Sequence, residues 1–194
     1  MVKTEKFARV EVASQDELRQ WLSANHAQAE SVWLVTYKKA TPDKYVSTGQ
    51  VLDELLCYGW IDGMRRKHPK DENRTMQLIS PRRVQHWSKT YKDRAARLIA
   101  EGKMEVPGHA SIEASKVSGL WNFLDDVDAL IVPADLQAAF DKNPGAKNFY
   151  ENQGDATKRF ALRWIKLAKG ADTRKKRIEK TVKLFNEGKR IPGS

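Results

Sequence analysis

Leu18, Trp21 and Leu22 follow one another at the i, i+3, i+4 spacing of a helix. Ser14 with Glu17 just before them has the form of a capping box, so a first helix is expected to run to about Asn25. The period then changes. Ser31 to Lys38 (SVWLVTYK) is apolar, aromatic or β-branched on both faces, which predicts a largely buried strand. After the Pro42-Asp43 turn, Ser47 and Gln50 repeat the capping signature. Val51, Leu52, Leu55 and Leu56 give the next helix its apolar face, and Gly59 is a natural stop. Trp60 to Lys67 and Arg74 to Ser80 read as two strands joined by the polar loop Pro69-Lys70-Asp71-Glu72-Asn73, with Asp62-Gly63 as a bend or bulge.

Beyond Ser88 the pattern is helical. Tyr91, Ala95, Leu98 and Ile99 line one helix that stops at Gly102, and Pro107 opens another that ends at Gly119. Leu136, Ala139 and Phe140 mark a helix stopped by Asn143-Pro144. Phe160, Trp164, Leu167 and Ala168 share a face closed by Gly170. A last helix from Asp172 turns Ile178, Val182 and Phe185 inward, and the tail from Lys189 to Ser194 is expected to fray. The fold class that follows is α+β: a small antiparallel sheet packed with helices over residues 1–125, then a mainly helical part over residues 126–194. Asp125-Asp126-Val127-Asp128 is the candidate seam, and one continuous domain is equally compatible with the pattern.

Composition narrows this picture. The chain has 194 residues, 40% of them hydrophobic, with six Trp, six Phe and five Tyr, which is enough for a genuine core and excludes wholesale disorder. No window approaches the roughly 18 uninterrupted apolar residues of a membrane span. The first twenty residues lack the apolar centre of about 7–15 residues found in a signal peptide. One cysteine forbids an internal disulfide, so a cytoplasmic protein is expected. The net charge of +10 is uneven: −1 over residues 1–59, +6 over 60–105, −4 over 106–153 and +9 over 154–194. Such a balance favours polyanionic partners: a small anionic ligand, nucleic acid or an anionic surface.

Candidate chemistry concentrates between Cys57 and Ser88. Arg65, Arg66, Arg74, Arg82 and Arg83 fall on or beside two paired strands, where some share a face, and arginine makes bidentate contacts to phosphate or carboxylate. An anion site would use Arg65, Arg82 and Arg83, with Asp62 orienting a guanidinium and Trp60 and Trp87 shaping the pocket. Ser88 would cap a helix whose positive end lies nearby. The alternative is that the tryptophans are core and the arginines a solvated sheet edge. An enzyme acting on a phosphorylated or carboxylated molecule would draw on Asp62 or His86 as acid or base. The basic face of the last helix, Arg174, Lys175, Lys176, Arg177, Lys180 and Lys183, is the candidate nucleic-acid surface, without aromatic residues for stacking. Cys57 lies among apolar neighbours and reads as a buried structural thiol. The four histidines are scattered and no metal-ligand spacing occurs, so neither a metal nor a cofactor is expected. Phosphate-loop, dinucleotide and esterase motifs are absent.

A family resemblance rests on Trp21-Leu22 with Asn25-His26, Trp33-Leu34 and Lys38-Lys39. It continues through Leu55 to Gly63 (LLCYGWIDG), Pro81-Arg82-Arg83, Trp87-Ser88-Lys89, Leu98 to Met104, Ala168-Lys169 and Thr173-Arg174 through Arg177-Ile178. Spanning about residue 15 to residue 190, these pieces resemble the YdeI/OmpD-associated, or bacteriocin-protection, family of bacterial proteins. The family pattern has Ser before the Trp-Ser pair and Asn shortly after it, where this chain has His86 and Thr90-Tyr91. The resemblance implies a role in protection against bacteriocins or cationic antimicrobial peptides and brings no established catalytic mechanism. A cationic protein repels cationic peptides, so the protection it implies is indirect, through a ligand or a protein partner.

Overall fold

The computed structural model describes residues 7–193, and the chain divides into two compact units between Asn122 and Phe123. The fold is α+β, with all strands in the first unit. In chain order its elements are β1 (Arg9–Glu11), α1 (Gln15–Asn25), β2 (Val32–Tyr37), α2 (Thr48–Cys57), β3 (Trp60–Lys67), β4 (Arg74–Pro81), α3 (Lys89–Ala100) and α4 (Val106–Val117). The strands form one sheet in the order β1-β2-β4-β3. It is mixed and not wholly antiparallel, because the three-residue β1 runs parallel to β2, with Arg9 opposite Trp33 and Glu11 opposite Val35. A strand that short carries no readable alternation, which is why the pattern of the chain did not announce it.

One face of the sheet makes the main core. Val32, Leu34, Ile79 and Trp60 meet Leu18 and Leu22 of α1, Val51, Leu55 and Leu56 of α2, Ala95 and Leu98 of α3, and Ile112 of α4. The opposite face buries a smaller cluster, Trp33, Val35 and Met76, with the Arg66 guanidinium 4.0 Å from the Trp33 ring centre. Local signals position these elements. Ser47 and Gln50 close a reciprocal capping box at α2. At α1, Ser14 accepts from the Glu17 N–H, while the Glu17 carboxylate reaches the N–H of Ala13 in place of Ser14, so the box is displaced by one residue. Gly59 ends α2 with φ of +68°, and a side chain there would lie 2.8 Å from the Pro107 carbonyl oxygen. Gly108, in the first turn of α4, in turn faces the carbonyls of Leu56 and Cys57. Two glycines thus let the end of α2 and the start of α4 approach backbone to backbone.

The expected irregularity at Asp62-Gly63 is a bulge. Asp62 pairs with Ile79 and Arg65 with Gln77, so β3 advances three residues where β4 advances two. Asp62 and Arg65, three apart, therefore serve the same side of the sheet.

The second unit contains α5 (Asp125–Asp128), α6 (Ala134–Asp141), α7 (Pro144–Glu151), α8 (Asp155–Lys166) and α9 (Ala171–Asn186). Leu136, Phe140, Tyr150, Leu162, Ile165, Val182 and Phe185 form its core. The Asp-rich stretch is itself the short helix α5. Pro144, read from the sequence as a stop, also opens α7, since a proline at the first helical position loses no hydrogen bond. The α8 helix ends at Lys166 with Leu167 as its C-cap, so Gly170 does not close it but is the N-cap of α9. The tail is anchored through Ile191, 4% exposed, which corrects the expectation of fraying as far as residue 193; Ser194 lies outside the described residues.

Candidate functional site

Gln77 occupies an inward position on β4, between Thr75 and Ile79, and is 5% exposed. A buried amide needs partners on both of its ends, and it finds them across the bulge. Its Nε2 donates to Asp62 Oδ2 at 3.0 Å, and its Oε1 accepts from Arg65 Nη2 at 2.9 Å. The other Asp62 oxygen accepts from the Tyr91 hydroxyl of α3 at 2.5 Å, and Arg65 Nη1 donates to Thr48 Oγ1 at 3.1 Å. A single hydrogen-bonded chain therefore runs Thr48–Arg65–Gln77–Asp62–Tyr91. Burial first, and then the bond to Asp62, push the Tyr91 phenol up to about 12.

Arg82 lies at the far end of that chain. Its backbone N–H donates to the Gly59 carbonyl at 2.8 Å, and its guanidinium carbon sits 3.8 Å from the Trp87 ring centre and 5.4 Å from that of Tyr91. One guanidinium nitrogen, Nη2, donates to the His86 carbonyl at 3.3 Å, while Nε and Nη1 are shielded from solvent and have no acceptor. Burial lowers the Arg82 pKa to about 10, against the opposing pull of Tyr91 and Asp62. At neutral pH the group remains a cation, and no carboxylate among the described residues lies within ion-pair distance of it.

The other expected site residues separate by role. Trp60 and Trp87 are core, 0% and 1% exposed, and neither offers a free stacking face. Trp60 donates its indole N–H to the His26 carbonyl and Trp87 to Ser115 Oγ. Trp87 reaches the site only by carrying Arg82 on its ring. Ser88 is the N-cap residue of α3 by backbone geometry, with no side-chain cap bond. Arg83 is exposed and lines, with Arg82, Ser31, Ser80 and Gln85, a cleft of about 510 Å³ at the end of β3 and β4. Ser31 and Ser80 meet hydroxyl to hydroxyl at 2.7 Å in its wall, and no acidic side chain lines it. Arg65 does not share this cleft; it lines a separate one at the start of α2. Both Asp62 oxygens accept hydrogen bonds, so the carboxylate works as a positioning acceptor. His86 contributes its carbonyl to Arg82.

On α9 the basic face is partly committed. Arg174 makes a two-pronged pair with Asp135 at 2.6 and 2.9 Å, and Arg177 donates to the Trp164 carbonyl and lies over that indole. Lys180 sits 5.9 Å from the same ring, while Lys175, Lys176 and Lys183 are exposed. Among the described residues no three His, Cys, Asp or Glu side chains come together as a metal site, and no helix is long and apolar enough to cross a membrane.

Tyr91, Gln77, Thr48 and the serine pair were not singled out in the sequence. Gln77 had one usable signal, a polar residue at an inward parity between Thr75 and Ile79. Tyr91 had one as well, since with Thr90 it stands where the family pattern has Asn, although its helical spacing is equally that of a core residue.

Comparison with known families separates the two units. Residues 10–111, more than half of the chain, match the family described as Domain of unknown function (DUF8412), and residues 129–188 match the family described as Bacteriocin-protection, YdeI or OmpD-Associated. The family suspected from the motifs is thus supported, but its match is confined to the second unit. The Gly59–Gly63 and Pro81–Arg83 motifs fall within the first family instead. No curated protein and no solved structure matches the chain. The chain therefore belongs to the DUF8412 family, and residues 129–188 of its second unit are similar to the bacteriocin-protection, YdeI or OmpD-associated family.

Proposed function

We infer that the protein binds a small anion, a carboxylate or phosphate compound, in the cleft lined by Arg82 and Arg83. The observation that carries this reading is Arg82 itself. A buried guanidinium with two nitrogens lacking acceptors is costly, and the usual remedy is an anion. The Trp87 ring offsets part of the cost, a cation–π contact being worth about 0.5–2 kcal/mol. The cleft volume of about 510 Å³ suits a metabolite-sized ligand. Ser31, Ser80 and Gln85 add neutral hydrogen-bond donors, and Arg83 adds a second cation at the rim. Binding requires the Arg82 guanidinium to turn its Nη1 edge toward the cleft, with Tyr91 and Asp62 setting how far it moves.

The cytoplasm is the proposed place of action, supported by a lone, buried cysteine. Protection against bacteriocins would then follow from handling this ligand, since a net charge of +10 disfavours direct capture of cationic peptides.

Thermal-shift and calorimetric titrations with sugar phosphates, nucleotides, dicarboxylates and a short oligonucleotide test the reading. A ligand at a hundred times its dissociation constant stabilises by about 2.7 kcal/mol, a readily visible shift. One class of small anion is expected to raise the midpoint, with Arg82→Gln abolishing the response and Arg83→Ala weakening it. A response that survives both substitutions, or a panel without any response, sinks the proposal; a response to the oligonucleotide alone transfers the question to α9.

A further inference from the structure

Arg65 lines a second cleft, about 190 Å³ in volume, between the start of α2 and the polar end of the sheet. Thr36 and Gln77 contribute to its walls and are 8% and 5% exposed. Lys38, Lys39 and Arg65 also line it, and no acidic side chain does. Among the described residues neither lysine has a carboxylate partner, and Arg65 bonds the neutral oxygens of Thr48 and Gln77. Three cationic residues thus border one small polar space, the Lys39 ammonium 6.0 Å from the ring of Tyr45 in its wall, and no acidic residue lines it.

Thr48 adds to this. It is the first residue of α2, where the helix end carries partial positive charge. The capping box uses the N–H groups of Ser47 and Gln50 and leaves that of Thr48 over. One arginine held by hydrogen bonds, with two lysines beside it and hydroxyls in the wall, suits a group with several equivalent anionic oxygens better than the two oxygens of a carboxylate. The volume lies below the roughly 300–1,000 Å³ of sites that enclose a whole metabolite. Only the charged end of a ligand fits inside.

We propose that this cleft is a receptor for a phosphoryl group, taking the phosphate end of a small phosphomonoester whose remainder stays outside. It stands on residues different from those of the Arg82–Arg83 cleft and fails independently of it. The two clefts lie at opposite ends of the Thr48–Arg65–Gln77–Asp62–Tyr91 chain, so the site is a separate one and not a lobe of the first.

The test is a titration of the full chain with phenyl phosphate, followed by amide resonances in nitrogen-15 spectra, with benzoate as comparator. Saturable shifts are expected at Lys38, Lys39, Thr48, Gly49 and Arg65. The double variant Lys38→Ala/Lys39→Ala, at two exposed positions, should weaken binding by about tenfold or more, while Lys116→Ala, an exposed lysine outside both clefts, leaves it unchanged. Benzoate binding as tightly as phenyl phosphate overturns the phosphoryl assignment. Shifts confined to the Arg82–Arg83 region, or equal affinity in the double variant, overturn the site itself and leave the first cleft standing.

Discussion

Alanine is normally a better helix residue than glycine by about 1 kcal/mol, yet Gly108→Ala is expected to destabilise the first unit. The new methyl would stand 2.4 Å from the Cys57 carbonyl oxygen, 2.7 Å from that of Leu56 and 2.4 Å from the Met104 sulfur. Met104 can rotate away. The carbonyls belong to the last turn of α2 and cannot, so α4 must back off by about 1 Å to reach ordinary contact. Overpacking of this kind costs about 1–3 kcal/mol, and a clash against backbone belongs at the upper end. Setting about 3 kcal/mol against the propensity gain of about 1 leaves a net loss of about 2 kcal/mol. For a unit of this size that lowers the melting midpoint by about 6–8 °C. Tryptophan fluorescence is the natural probe, because five of the six tryptophans lie before Asn122. Gly49→Ala is the control: that glycine is also helical, but its nearest neighbour would be Ser47 Oγ at 3.8 Å, so it should raise the midpoint or leave it unchanged. A Gly108→Ala midpoint equal to or above that of the parent would refute the close approach of α2 and α4.

The Tyr150 hydroxyl is buried without an acceptor, so Tyr150→Phe should leave stability unchanged or raise it by up to about 1 kcal/mol in urea titrations, and a clear loss would reveal a partner. Burial pushes Tyr150 up to about 12, and Tyr91 stands as high; both sit above the unfolded value of about 10. Their stabilising contribution is complete below pH 10 and is lost as pH rises through 12, so Tyr150→Phe should flatten the alkaline limb of stability against pH, and an unchanged slope counts against the assignment. Burial first of all, with Glu54 adding to it, pushes the Cys57 thiol up to about 11. It should react with a disulfide reagent at pH 8 only as the protein unfolds, and rapid stoichiometric labelling of the native state would show the residue to be accessible.

The legible parts of this chain were those written in local chemistry. Ser47 and Gln50 announced α2, Gly59 its end, and Asp62-Gly63 the bulge, because caps, left-handed stops and strand irregularities depend on a few consecutive residues. Less legible was anything that depends on a partner distant in the chain. Trp60 and Trp87 looked like pocket walls because tryptophan serves cores and binding sites alike, and only packing against Trp21 and Trp121 decides between them. Arg65 and Arg82 were read as one anion site from their proximity in sequence. The strands carry them to opposite ends of a hydrogen-bonded chain whose middle members, Gln77 and Tyr91, lie on β4 and α3. Arg174 and Arg177 looked like part of a free basic face until Asp135, thirty-nine residues away, and the Trp164 carbonyl claimed them.

The bulge in β3 also bears on which insertions and deletions this gene tolerates. Side chains alternate along a strand, and the bulge absorbs the extra residue between Asp62 and Arg65, so that Arg65 keeps parity with Gln77. Loss of a single codon at Gly63 or Met64 would restore a regular ladder and leave Arg65, Arg66 and Lys67 on the faces they hold now. Arg66 would stay over Trp33, and Arg65 beside Thr48 and Gln77. A one-residue deletion is therefore accommodated at the bulge, whereas one placed within the regular ladder of residues 65–67 would put the residues beyond it on the wrong face.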